Sequence, residues 1–184
     1  MRLTRSAGTV GGMSRHSNPT SDIPGVDDQQ LAELLDRMSA AAAAYIRGDI
    51  RRYIGLFDHP DDYSLMPPYG GETRIGYRPT ESDLEATSRF FAWGEATLEV
   101  QHTYSSGDLV VLVAVERQHG EVGGYPDQDW SLRVTIVFRR AGDRWQIVHR
   151  HADPLVEEIP FADFAELARG PGHGSGGAEP QGTS

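Results

Sequence analysis

The sequence predicts an α+β domain in which three helices come first and antiparallel strands follow. Apolar residues recur at helical spacing in the first half of the chain, and the second half changes to the alternation that is typical of strands. Tight turns at Gly107 and Gly142 join neighbouring strands into hairpins. Helices followed by such strands indicate a sheet with helices packed on one of its faces.

Each predicted helix has a residue suited to cap it. Asp27 or Asp28 begins the first helix, and Gly48 ends it. Asp49 begins a short second helix, and Thr80 begins a third that runs to about residue 92. Strands are predicted at residues 63–66, 95–105, 109–118, 130–139 and 144–152, with a loop at residues 120–129.

Length and composition predict one domain, at residues 27–168. The 184 residues are 38% hydrophobic, which is enough for one core of ordinary size. Segments 1–26 and 169–184 are rich in glycine and in small polar residues, and such segments bury too little apolar surface to become ordered. We therefore expect a disordered leader, which includes His16, and a disordered tail, which includes His173.

Charge and cysteine content exclude several classes of function. A net charge of −10, without a basic run in the predicted domain, disfavours nucleic acid and anionic membranes as partners. The absence of cysteine excludes disulfides, thiolate zinc sites and a cysteine nucleophile. No apolar run approaches the roughly 20 residues of a membrane span, and the start lacks the apolar stretch of a signal peptide. We therefore expect a cytoplasmic protein.

The last predicted strand carries the clearest candidates for chemistry. Alternation places Trp145, Ile147, His149 and His151 on one face, which begins apolar and ends in two imidazoles. Such a face is suited to the floor and mouth of a cavity, and His149 or His151 could transfer a proton there. The same spacing could hold a metal ion, but no third histidine lies nearby in the sequence, so no metal site is expected.

Arginines on two other strands are candidate ligand contacts. Arg117 ends an apolar strand face and Arg133 alternates with apolar residues, so either could neutralise an acidic group inside a cavity. Glu116 and Arg117 have opposite parity, and a solvated Glu116 is the favoured interpretation. Tyr69 lies in a Pro-Pro-Tyr-Gly-Gly loop that is expected beside the mouth of the cavity. Parity alone leaves open which sheet face lines that cavity.

The order of elements over about residues 30–153 resembles the nuclear transport factor 2-like, or cystatin-like, superfamily. Two groups within it are most similar: SnoaL-like or ketosteroid-isomerase-like proteins, and the association domain of calcium/calmodulin-dependent protein kinase II. The segment Trp145-Gln146-Ile147-Val148-His149, followed by His151, resembles the terminal strand of that association domain. The resemblance implies a cone, in which a curved antiparallel sheet packs on three N-terminal helices.

The resemblance also implies a cavity rimmed by arginines on adjacent strands and by a tryptophan after the third helix. The matching positions here are Arg117 and Trp93, with Arg133 or Thr135 at the second arginine. One departure is that Ala152 stands where the association domain has an arginine on its terminal strand.

These residues predict a small-molecule-binding SnoaL-like domain for a hydrophobic ligand with an acidic or carbonyl oxygen. If the protein is an enzyme, it would be a cofactor-free isomerase, cyclase or hydratase. His149 or His151 would move the proton, Arg117 or Arg133 would hold the oxyanion, and Tyr69 and Trp93 would shape the wall. The alternative is a non-catalytic association module. The expected partners are a small hydrophobic or anionic molecule and a second copy of the chain, because a homodimer would cover the apolar sheet face.

Overall fold

The structure is a computed structural model that describes residues 26–170. The helices are α1 (Asp28–Ile46), α2 (Ile50–Leu56), α3 (Glu81–Phe90) and α4 (Phe161–Arg169). The strands are β1 (Ser64–Met66), β2 (Arg74–Ile75), β3 (Phe91–Ser106), β4 (Leu109–Val122), β5 (Tyr125–Asp129), β6 (Leu132–Ala141) and β7 (Arg144–Pro154). Nearly all of the predicted leader and tail, including His16 and His173, lies outside the described residues.

The predicted α+β fold class is confirmed. One sheet has the strand order β2-β1-β7-β6-β4-β3, and β5 pairs with β4 at its margin. The long strands pair antiparallel as expected, but β1 runs parallel to β7, so the sheet is mixed. The predicted loop at 120–129 is wrong, since β4 continues to Val122 and β5 pairs back onto it.

Local capping explains where the helices begin. The Asp27 side chain accepts a hydrogen bond from the Gln30 N–H at 2.8 Å, and Thr80 forms a capping box with Asp83. The predicted starts of these helices are confirmed. The third helix ends at Phe90, about two residues earlier than predicted, and the chain passes directly into β3.

The core lies between α1 and one face of the sheet, which we call the inner face. The opposite side is called the open face. Both are defined by alternation along the strands. The buried inner-face residues of the central strands are Val110, Leu112 and Ala114 of β4 and Val134, Ile136 and Phe138 of β6. They form one cluster with Leu34, Met38 and Ala41 of α1.

A β-bulge interrupts the pairing of β6 with β7 at Val148. Ile147 is paired with Phe138 and His149 with the preceding residue, Val137, so Val148 is an extra residue. The predicted common face of Trp145, Ile147, His149 and His151 is therefore wrong.

The bulge changes which side chains of β7 face the helices. Trp145 and Ile147 belong to the core, as does Ala152 beyond the bulge. Arg150 has the same parity as Ala152 and lies on the inner face. His149 and His151 lie on the open face, because one extra residue reverses the alternation.

Candidate functional site

A buried ion pair lies on the inner face of the sheet. The Arg150 guanidinium donates two hydrogen bonds to the Glu116 carboxylate, at 2.9 and 2.7 Å. The Glu116 side chain is only 3% exposed and that of Arg150 17% exposed, so the prediction of a solvated Glu116 is wrong. Burial opposes the charge on Arg150, but the adjacent carboxylate outweighs it and raises the pKa of Arg150 above its usual value.

Three buried or partly buried tyrosines lie close enough to this pair to be affected by the charge of Arg150. Tyr45 belongs to α1, Tyr53 to α2, and Tyr63 immediately precedes β1. Burial raises the pKa of all three hydroxyls, that of Tyr63 to about 12, while the charge of Arg150 acts in the opposite direction on each. The phenols are therefore neutral hydrogen-bonding groups around a charged pair.

His59 connects with the tyrosine group through Tyr53. Its Nε2 lies 3.1 Å from the Tyr53 hydroxyl, and its ring centroid lies 4.8 Å from that of Tyr63 and 4.9 Å from that of Tyr77. Burial lowers the pKa of His59 to about 4, against the effects of Asp58 and a backbone hydrogen bond. His59 is consequently neutral at pH 7, and its imidazole can accept or donate a hydrogen bond there.

Tyr69 lies in the loop beside this group, at its exposed side. Its side chain is 74% exposed, and its hydroxyl accepts a hydrogen bond from Arg74 at 2.8 Å. Tyr69 and Arg74 both act electrostatically on Tyr45. We call the Arg150–Glu116 pair and its three tyrosines the inner site. Of the predicted site residues, Tyr69 is thus the one that interacts with a member of this site, Tyr45.

The other predicted site residues lie on the open face. Arg117 is paired there with Glu99 at 2.9 Å, with both side chains about half exposed. Arg133 forms a charge-assisted hydrogen bond with Asp153. Trp93 is 44% exposed and packs edge-on against a neighbouring imidazole.

The two predicted histidines also contact open-face neighbours. His149 Nδ1 lies 2.8 Å from the Ser64 hydroxyl, and burial together with nearby His151 lowers the pKa of His149. His151 is exposed and opposite Thr135. Although Trp93, the two arginines and the two histidines share a face, that face is separated from the inner site by the sheet, and their roles in catalysis or binding stay predictions.

Sequence reasoning missed Arg150 and His59. Regular alternation places Arg150 on the face opposite His149 and His151, as in the structure. Without the bulge at Val148, however, it joins the two histidines, and not Arg150, to the face of Trp145 and Ile147. Ala152, where the association domain has an arginine, is buried on the inner face. Arg150 lies on the same face two positions earlier. One feature of the sequence could have indicated the site: Glu116 has the same parity as the apolar residues Val110, Leu112 and Ala114 of β4, so it is a charged residue on their face.

No group of side chains suited to hold a metal ion occurs within residues 26–170. Over the same range, none of the helices has the length and apolar content needed to cross a bilayer.

The chain belongs to the SnoaL-like domain family, whose profile matches residues 34–157. The predicted resemblance to SnoaL-like proteins is thereby confirmed, and the described residues have the predicted cone-like α+β architecture of an unclosed sheet over helices. A search of curated proteins gave no match.

Solved structures of the same fold include two CaMKII hub domains and an NTF2-like protein. The CaMKII hub homology domain of Chlamydomonas reinhardtii is 18% identical, with 68% of this chain and 98% of that one covered and a TM-score of 0.52. The CaMKII hub of S. rosetta is 15% identical, with coverages of 67% and 95% and a TM-score of 0.51. An NTF2-like protein of unknown function from Shewanella oneidensis is 16% identical, with coverages of 67% and 98% and a TM-score of 0.51. At these identities the likeness shows the fold alone.

Proposed function

We propose that the domain binds a small, largely apolar molecule with a carbonyl or hydroxyl oxygen at the inner site. The observation that carries this proposal is the buried Arg150–Glu116 pair among neutral phenols. Removing two charges from water is costly, and a core of this size does not need them for stability. Buried, strongly perturbed titratable groups that lie together are typical of functional sites.

The charge of the inner site favours a neutral ligand. Arg150 and Glu116 cancel each other, and the tyrosines and His59 are uncharged at pH 7, so a ligand carboxylate would meet no uncompensated cation. A carbonyl oxygen would instead accept hydrogen bonds from the phenols, and the apolar part of the ligand would pack against aromatic rings. Of the two oxygen chemistries that the sequence suggests, acidic and carbonyl, we therefore propose the carbonyl.

The chemistry that this group of residues could perform is a cofactor-free proton transfer of the isomerase, cyclase or hydratase type. Tyr53 and His59 share a hydrogen bond, which would hold the neutral imidazole in position to take a proton from the ligand. In this proposal His59 takes the place that the sequence suggested for His149 or His151. A tyrosine hydroxyl near Arg150 would stabilise the developing negative charge on the ligand oxygen.

Ligand titration of the full chain tests the proposal. Acetophenone and 1-phenylethanol are neutral oxygenated probes, and benzoate is the matched anion of similar size. We expect the neutral probes to raise the melting temperature of the protein in a saturable way, and benzoate to have a smaller effect. Tyr63→Phe should weaken this binding because it removes a hydroxyl and keeps the ring.

Glu99→Gln is the matched control, since Glu99 belongs to a half-exposed ion pair on the open face. It should bind the probes as the unaltered protein does. Tighter binding of benzoate than of acetophenone would contradict the proposed ligand class. Failure of all three probes to bind would contradict the proposed site. Binding that Tyr63→Phe leaves unchanged and that a change of Arg117 or Arg133 removes would place the site on the open face.

The second candidate function is self-association through the open face. Tyr104 is 60% exposed and Leu109 44% exposed there, beside partly buried Val111, Val113 and Val137. An apolar sheet surface of this kind is suited to back-to-back pairing with a second copy about a two-fold axis. We therefore propose a homodimer, whose mass by light scattering would be twice 20.2 kDa.

A charge placed in this surface tests the homodimer. Val113→Lys should convert the dimer to monomers, whereas Glu72→Lys in the exposed loop that precedes β2 should leave the mass unchanged. A mass of one chain at all micromolar concentrations would refute the dimer. It would leave the inner site unaffected, because that site lies on the other side of the sheet.

A further inference from the structure

A second polar site lies in a groove between α1 and the hairpin that joins β6 to β7. We call it the hairpin groove. It has a volume of about 260 Å³, and its polar lining consists of Gln30, Glu33, Arg37, Arg140 and Asp143, beside Trp145. The groove is separate from the inner site, and neither the family nor the proposed function assigns it a role.

Arg140 holds an unused hydrogen-bond donor at this groove. Its guanidinium lies 4.7 Å from the centre of the Trp145 ring and donates a hydrogen bond to the Gln30 side-chain oxygen at 3.1 Å. Its Nε is buried and lacks a hydrogen-bond partner among residues 26–170. The nearest carboxylate oxygen, on Asp108, is 3.7 Å away, too far for a hydrogen bond. Among residues 26–170 the Arg140 guanidinium thus has no hydrogen-bonded carboxylate, and a ligand carboxylate in the groove would supply one.

Arg37 is a second cation that is held in place at the same groove. Its guanidinium lies 4.6 Å from the centre of the Phe57 ring and donates a hydrogen bond to the Leu56 carbonyl oxygen. A cation held by an aromatic ring and a backbone oxygen loses little additional side-chain entropy when it contacts a ligand. Two positioned guanidinium groups therefore line one groove.

The groove also contains one carboxylate for each arginine, on Glu33 and Asp143. The formal charges of the four side chains cancel. A ligand with a carboxylate near the arginines and an ammonium group near the acids would match both signs, whereas a simple anion or cation would match only one. The volume is below the roughly 300–1,000 Å³ of sites for drug-sized molecules. The ligand is therefore small.

We propose that the hairpin groove binds a small zwitterion of the α-amino acid class. The Arg140 and Arg37 guanidinium groups receive the carboxylate, and Glu33 and Asp143 receive the ammonium group. The test uses the ¹⁵N-labelled full chain, whose three tryptophans give three indole N–H signals. The signal of Trp145 is assigned with Trp145→Phe.

The probes are L-alanine, sodium acetate and ethylammonium chloride, titrated at constant ionic strength. We expect L-alanine to shift the Trp145 signal in a saturable way, and each single-charge probe to bind about tenfold more weakly or worse, as the loss of charge-assisted hydrogen bonds predicts. No saturable shift with L-alanine would overturn the proposal. Equal affinity for acetate and L-alanine would overturn the zwitterion and leave an anion site.

Variants separate the groove from the rest of the hairpin. Arg140→Gln should abolish the L-alanine shift, whereas Arg144→Gln should retain it, because Arg144 lies on the same hairpin but pairs with Asp58 at 3.0 Å. Arg140 also packs on Trp145, so a second variant keeps the test independent of folding. Asp143→Asn changes an exposed side chain and should remove the preference for L-alanine over acetate. An unchanged preference in this variant would overturn the proposal.

Discussion

Breaking the Arg150–Glu116 ion pair from one side should destabilise the protein severely. Glu116→Gln keeps the size of the side chain but leaves the Arg150 charge without a counterion, at a site where the two side chains are 3% and 17% exposed. Removing one partner of a buried pair costs about 3–5 kcal/mol. This is a large part of the roughly 5–15 kcal/mol by which domains are stable. Arg150→Met should cost a similar amount, because it leaves the Glu116 carboxylate buried.

The assay is urea unfolding followed by tryptophan fluorescence and circular dichroism. With a slope of about 1–3 kcal/mol per molar urea, each single variant should lower the unfolding midpoint by about 1 M or more. The double variant Glu116→Gln/Arg150→Met has no buried charge and should recover most of the loss. Glu99→Gln, on the half-exposed pair with Arg117, should leave the midpoint unchanged. Single variants that unfold at the midpoint of this control would refute a buried pair.

Two further predictions concern His59 and the glycines. Burial lowers the pKa of His59 from 6.5 to about 4, so between these pH values the unfolded chain binds a proton that the folded chain does not. The free energy of unfolding should therefore fall by about 3 kcal/mol as pH drops from 6.5 to 4. In His59→Gln, urea unfolding at a series of pH values should show a smaller fall. An equal fall in the two proteins would contradict the burial of a neutral His59. Gly120→Ala should destabilise the protein, because a Cβ there would collide with the Trp93 carbonyl and with Gly94, whereas Gly55→Ala in α2 meets nothing within 4 Å and should raise the melting temperature.

The elements that sequence analysis predicted correctly are those with local signals. Helix starts at Asp27 and Thr80 depend on side chains that cap the adjacent backbone, and these are visible in a few residues of sequence. β5 was missed because all five of its residues are exposed and show no alternation. α4 was missed although Phe161, Phe164 and Ala168 recur at helical spacing; the segment is short, and no residue of this helix is buried.

The inner site was missed because its residues come together through tertiary structure. Arg150 is brought to Glu116 by the pairing of β7 with β6 and of β6 with β4, and 34 positions of sequence separate the two. The strand of Glu116 is apolar on both faces, so its parity did not identify the inner side. His59 follows a helix in a turn-rich segment, where neither spacing nor composition predicts that its imidazole will be buried.

Deletion of Val148 tests whether the number of residues in β7 is enough to place Arg150 on the inner face. Without Val148, His149 follows Ile147 directly, so regular alternation would still put Ile147 and Arg150 on the inner face and His149 on the open face. The deletion variant should therefore fold and keep the stabilising interaction between Arg150 and Glu116, measured by a double-mutant cycle. It should lose only the extra twist that a bulge adds.

Deletion of Thr135 is the matched control, since Thr135 lies in the regular pairing of β6 with β4 and β7. Here no extra residue absorbs the change, and one half of β6 must reverse its faces, which would turn core residues such as Ile136 outwards. We expect this variant to lose cooperative unfolding. If the Val148 deletion variant also loses cooperative unfolding, the bulge does more than set which side chains of β7 face the helices. The position of Arg150 on the inner face would then depend on the shape of the bulge as well as on the number of residues in β7.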